Sequence, residues 1–126
     1  MKIAVIIPAY NAEHTIRKAV KSIDTTHEVE IVCINDGSID RTREVLMQLQ
    51  KEVKNLVIYN QDNQGAAKSR NVGLAALADD VEAFMFLDAD DQFLPGRLDQ
   101  MINYYESDQN VDIVIGQIAV SYTHLR

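Results

Sequence analysis

The chain has 126 residues, 47% of them hydrophobic, enough for one compact domain with its own core and no disulfide or metal staple. Its formal net charge of −7 would repel a phosphate backbone, and no basic patch overrides that field, so nucleic acid is excluded as a partner. No run approaches the roughly 18 apolar residues of a membrane-spanning helix, and Pro8 ends the first apolar run well short of a signal-peptide core. The expectation is a cytoplasmic protein, with any association with the inner face of the membrane peripheral or carried by segments outside this sequence.

Ile3-Ala4-Val5-Ile6-Ile7 is a continuous, β-branched apolar run closed by Pro8, the pattern of a strand buried on both faces of a parallel sheet. From Asn11, a good N-cap, Ile16, Val20 and Ile23 recur at helical spacing, with Arg17, Lys18 and Lys21 as a solvated face. Val29 to Ile34 reads as a second strand, in which Cys33 is a small buried thiol rather than a nucleophile. A turn at Asp36-Gly37-Ser38 leads to a helix capped near Asp40, with Val45, Leu46, Leu49 and Val53 as its apolar stripe.

Leu56-Val57-Ile58-Tyr59 is a third strand, the Ala-rich segment from about Gly65 to Leu77 a third helix, and Val81 to Leu87 a fourth strand. Pro95 opens a helix carrying Leu98, Met101, Ile102 and Tyr105, and Asp112-Ile113-Val114-Ile115 reads as a fifth strand. Strands separated by helices imply right-handed crossovers, hence an α/β, Rossmann-like fold with a mostly parallel sheet and helices on both faces. Residues 1–120 form one domain, while 121–126 lack periodicity, cap and turn signal and are expected to be a truncation or a non-native tail. His14, His27 and His124 are scattered without metal-ligand spacing, and Tyr104-Tyr105 reads as core and rim.

In a parallel sheet every strand ends on the same edge, so the loops after the first four strands converge there. They are Pro8-Ala9-Tyr10-Asn11, Asn35-Asp36-Gly37-Ser38, Asn63-Gln64-Gly65 leading to Arg70-Asn71, and Asp88-Ala89-Asp90-Asp91. Singly, each has an ordinary explanation: a strand end, a turn, a helix entry with Lys68 and Arg70 on a wet face, or a helix cap. A cap needs one carboxylate, however, whereas Phe84-Met85-Phe86-Leu87 runs straight into three. Carboxylates crowded without basic partners repel one another, and a hard divalent cation bridging to phosphate oxygens is the usual relief. The joint occurrence at successive strand ends points to a metal-nucleotide site.

These motifs, with Ile6-Ile7 before the first, Ile39-Asp40 after the second and Ser69-Arg70-Asn71-Val72-Gly73 in the third, resemble the amino-terminal, nucleotide-sugar-binding half of a family 2 glycosyltransferase of the GT-A type. The resemblance runs to about Gly116. It implies that Pro8, Ala9 and Tyr10 pack against the nucleoside of a nucleotide-sugar, a UDP-sugar first of all, with Asn11 in the same nucleotide-sugar-binding loop, and that Asp36 accepts a hydrogen bond from the base. Gly65 and Arg70 fall in the segment near the phosphates. Asp88, Ala89 and Asp90 match the DXD motif, the first carboxylate near the ribose or sugar and Asp90 on Mn²⁺ or Mg²⁺; Asp91 supports the sugar or the metal. A saccharide or lipid-linked acceptor and a place in polysaccharide or cell-wall synthesis are implied with them.

Such a reaction builds oxocarbenium character on the sugar and negative charge on the departing diphosphate, while an inverting enzyme takes the acceptor's proton with a carboxylate base. That base is expected beyond Arg126, so no catalytic residue is assigned here. Asn35 stands where the family commonly has Asp, and Ile39 where it has Thr. A non-catalytic nucleotide-binding module remains open as the other reading. A dinucleotide-dependent oxidoreductase is disfavoured by the lack of a Gly-x-Gly-x-x-Gly turn after the first strand, and a phosphoacceptor receiver by the lack of acidic residues there.

Overall fold

A computed structural model of the chain describes residues 1–107; the expected strand at Asp112–Ile115 and the segment 121–126 lie outside them. The elements run β1 (Lys2–Ala9), α1 (Ile16–Lys21), β2 (Glu28–Asp36), α2 (Thr42–Glu52), β3 (Leu56–Gln61), α3 (Ala66–Ala75), β4 (Ala83–Phe86) and α4 (Arg97–Ser107). The sheet has the order β3-β2-β1-β4, and every neighbouring pair is parallel. The α/β alternation expected from the sequence is the observed one.

Successive side chains of a strand point to opposite faces, and the apolar runs exploit both. Ile3, Val5, Ile7, Ile31 and Cys33 face a core closed by Ile16 and Val20 of α1, Leu46 and Leu49 of α2, and Leu98 and Ile102 of α4. Their neighbours Ile6, Val32 and Ile34 face the other way, packed against Val72 and Leu74 of α3 and Leu77 just beyond it. Continuous rather than alternating hydrophobicity is therefore what this doubly covered sheet requires. Burial pushes the Cys33 thiol up to about 12, in keeping with an inert packing residue. The basic face of α1 is solvated and tied to α2: Arg17 Nη1 and Lys21 Nζ lie 2.8 and 3.0 Å from Glu52 Oε1.

Two local expectations are corrected. Strand β1 continues through Pro8 to Ala9, paired with Ile34 and Asn35 of β2. Ile6 presents its carbonyl to the β4 side, accepting from Leu87 N–H at 3.0 Å, so Pro8, two residues on, turns its missing donor to that same side. There the ladder has already ended at Ile6 and Phe86, and no hydrogen bond is lost. Asn11 does not cap α1, which starts after Thr15. Asn11 instead adopts φ +48° and its side-chain carbonyl accepts the Ile39 N–H at 2.9 Å, so its capping group is committed to the neighbouring loop.

Gly73 fixes how closely α3 approaches the sheet. A Cβ there would lie 2.4 Å from Cγ2 of Ile6, itself fully buried in the central strand. Gly73→Ala is expected to lower unfolding free energy by about 1–3 kcal/mol through overpacking, seen as a lower urea midpoint; an unchanged midpoint would show that α3 can retreat without loss.

Candidate functional site

All four β-α loops emerge at one edge because the strands are parallel, and the first three are laced to one another by side-chain hydrogen bonds. Asn11 N–H donates to Ser38 Oγ (3.0 Å), the Ser38 hydroxyl donates to Asn35 Oδ1 (2.6 Å), and Asn35 Nδ2 donates to Asn60 Oδ1 (2.9 Å). A second strap lies beneath: the buried Thr42 hydroxyl donates to Asp40 Oδ1 (2.6 Å) and accepts from Ala12 N–H (2.8 Å), while Asp40 Oδ2 accepts from Glu13 N–H (3.2 Å). Asp40 Oδ1 also takes the Thr42 N–H at the start of α2 (2.9 Å), although the N-cap position itself falls to Arg41, one residue later than the sequence suggests, and Arg41 makes no side-chain cap. Burial would push the Asp40 carboxyl up, but these donors outweigh it and hold it below its ordinary value. Asn60 and Thr42 carry no motif-level signal; their importance lies in partners 25 and 30 residues away.

Asp36 ends β2 with 3% exposure, and donors from the end of β3 and the loop after it surround its carboxylate. Oδ1 accepts from Gln61 Nε2 (3.0 Å) and Gln64 N–H (2.8 Å); Oδ2 accepts from Gly65 N–H (2.9 Å), with Asn63 Nδ2 at 3.4 Å. Asn63 Nδ2 also donates to the Asp36 carbonyl at 3.1 Å. The loop is drawn so close that a Cβ at Gly37, whose φ is +72°, would lie 2.6 Å from the Asn63 nitrogen. Burial raises the Asp36 carboxyl, yet the hydrogen bonds from Gln61, Gln64, Gly65 and Ser69 more than offset this and its pKa is lowered.

Beyond β4 the buried Leu87 anchors the acidic step, and Asp91 N–H donates back to the Asp88 carbonyl at 3.0 Å. Asp88 and Asp90 are exposed and Asp91 is buried, and one carboxylate oxygen from each lies within 4.8 Å of the others. Such an all-oxygen, anionic donor set fits a hard divalent cation, Mg²⁺ or Mn²⁺, better than a metal seeking nitrogen or sulfur. Arg70 Nη2 lies 3.6 Å from Asp88 Oδ1, and the guanidinium stands 5.8 Å from the centroid of the Phe86 ring. The following loop is pinned by Phe93 N–H donating to Ser22 Oγ (3.0 Å) and by Asp99, which accepts from the Thr25 hydroxyl and from Thr26.

Thus Asp88, Asp90, Asp91 and Arg70 form one cluster, while Asp36 and Gly65 form another. The two are joined by α3: Asp36 holds Gly65 at its N-terminus, and Arg70, five residues on, reaches Asp88. Tyr10 is 51% exposed at this edge and Asn11 is exposed beside it, whereas Ala9 is buried and Pro8 half-buried. Ala89 is partly buried against the main core.

A parallel sheet in this order, covered on both faces, is a Rossmann-like nucleotide-binding architecture, and the acidic step after β4 together with the structural likeness given below makes it the GT-A type. Residues 4–125 match the model of "Glycosyl transferase family 2", and the chain belongs to that family. A Staphylococcus aureus (strain MRSA252) protein named TagX is 35% identical over 126 residues, covering 97% of this chain and 36% of its own length. The minor teichoic acid biosynthesis protein GgaA of Bacillus subtilis (strain 168) is 28% identical, covering 95% of this chain and 28% of its own. Among solved structures, S. aureus TarS 1–349 in complex with UDP superposes with a TM-score of 0.75 at 27% identity, over 86% of this chain and 33% of that one. The chain spans about a third of the length of such relatives. No helix among the described residues is long and apolar enough to cross a membrane.

Because the folded Asp36 pKa lies below its ordinary 3.8, its ionised form stabilises the fold fully above that value and the contribution is lost as pH falls through the lower folded value. Asp36→Asn, which places an amide against donors, is expected to cost about 1–3 kcal/mol at pH 7. In urea melts the gap between variant and wild type should narrow below pH 4; a gap independent of pH would show that the ionised carboxylate is not what holds the loop.

Proposed function

We propose that this chain is the donor-binding part of an inverting, metal-dependent glycosyltransferase that uses a UDP-sugar. The observation carrying the proposal is the convergence at one sheet edge of a three-carboxylate cluster, an arginine and a helix N-terminus. Helix α3 begins at Ala66, after an N-cap Gly65 whose own N–H is held by Asp36, and has no side-chain cap, so the N–H groups of its first turn beyond Gly65 are available to a phosphate, and Arg70 lies on the same helix. Support for the uridine nucleotide comes from TarS, solved with UDP and with UDP-GlcNAc.

In this reading Tyr10 offers its exposed ring to the nucleoside, and the loop clamped by Asp36 shapes the base pocket. Asp36 meets the base by an edge left to its carboxylate or by exchanging the Gln61 or Asn63 amide for a donor on the base. Asp90, with Asp88 and Asp91 beside it, would hold Mg²⁺ or Mn²⁺; the cation would supply neutralisation of the charge gathering on the leaving diphosphate. Arg70 contributes a fixed positive charge to the same oxygens. Proton removal from the acceptor hydroxyl falls to a base outside these residues, expected beyond Arg126. The relation to GgaA supports a place in cell-wall or other polysaccharide synthesis, with a saccharide or lipid-linked acceptor.

Calorimetric titration of the protein with UDP tests the reading. Affinity should rise about tenfold or more when Mn²⁺ is added, and Asp90→Ala should erase that gain without lowering thermal stability, since Asp90 is exposed. Equal UDP affinity with and without Mn²⁺ in the wild type would remove the metal from the proposal, and no UDP binding in either condition would end it.

A further inference from the structure

We infer that Arg70 is a built-in substitute for the cation: without nucleotide it neutralises Asp88, so that cation and guanidinium compete for one carboxylate and the cation enters together with the diphosphate that draws Arg70 away. This rests on the donor-site reading above. The geometry is specific. Arg70 Nη2 is 3.6 Å from Asp88 Oδ1, with the two side chains 39% and 56% exposed, so the pair is neither buried beyond exchange nor dissolved in solvent. The guanidinium is steadied by the Phe86 ring at 5.8 Å, and its helix is anchored through Gly65 to Asp36. Arginine cannot shed its charge, so the competition cannot be relieved by deprotonation.

The physical consequence is a coupling between ligands. A positive charge about 4 Å from a candidate ligand oxygen opposes a second positive charge there, by an amount that falls as salt screens it. A diphosphate offers the guanidinium fork a better set of acceptors than one half-exposed carboxylate. Moving Arg70 from Asp88 to phosphate therefore frees the carboxylate as the cation arrives, and by linkage each ligand strengthens the other. Free divalent cation is kept from filling the cluster ahead of the nucleotide.

The test titrates Mn²⁺ alone, without nucleotide, into wild type, Arg70→Gln and Arg70→Lys, following bound Mn²⁺ by calorimetry. Arg70→Gln should bind Mn²⁺ about three- to tenfold more tightly at low ionic strength, the gain shrinking at high salt, while binding UDP more weakly at saturating Mn²⁺. Arg70→Lys, which keeps the charge, should stay near wild type for Mn²⁺. Mn²⁺ affinity in Arg70→Gln no higher than in wild type overturns the inference. If that variant melts early, Asp88→Asn decides: releasing Arg70 should raise UDP affinity in the absence of metal, and no rise overturns the inference. Should wild type show no Mn²⁺-dependent UDP binding while Arg70→Gln still tightens Mn²⁺, the donor reading fails and the competition stands. Intact Mn²⁺-dependent UDP binding with no tightening in Arg70→Gln sinks the competition alone.

Discussion

The buried carboxylate of Asp36 is the interaction on which the arrangement of the site depends. A charge withdrawn from water must be met by donors, and here Gln61 at the end of β3 and Gln64 and Gly65 in the loop after it supply them from 25 to 29 residues away. The consequence passes along the chain. Fixing Gly65 fixes where α3 begins, the register of α3 sets where Arg70 points, and Arg70 is thereby brought to Asp88 at the end of β4. One ionised group at the end of β2 thus organises groups contributed by β3, α3 and β4.

The lacing of the loops also accounts for a departure from the family pattern. Asn35 uses both ends of its amide, Oδ1 accepting from Ser38 and Nδ2 donating to Asn60. An aspartate in that place could accept from Ser38, but would bond Asn60 only with the Asn60 amide turned over so that its Nδ2 donates. Choosing asparagine removes a second buried charge next to Asp36 and satisfies both neighbours. Among the described residues no buried side-chain nitrogen or oxygen lacks a partner, as expected for a polar edge that must stay rigid without collapsing.

Periodicity and composition were sufficient to read the element order through α4, the two-faced sheet and the edge at which the loops meet, because each depends on residues close in sequence. Apolar β-branched runs in β1 and β2 and the 3.6-residue stripe of α2 are signals of that kind. The strand through Pro8 was not readable, since it depends on where the neighbouring ladder with β4 stops. Nor was the role of Asn11, whose partner Ile39 lies 28 residues on, or that of Thr42, which serves Ala12 across 30. The acidic step was visible as a cluster, but its contact with Arg70 required α3 to be placed in space.

Cys33 has a practical consequence. It is the single cysteine of the chain, fully buried, with its thiol held at about 12. In the native state it is therefore silent to maleimides and disulfide reagents, which attack through the thiolate. A cysteine introduced on any exposed loop can carry a fluorophore or spin label without first removing the native one, and Cys33 itself becomes a reporter of global opening, labelled only when the sheet comes apart.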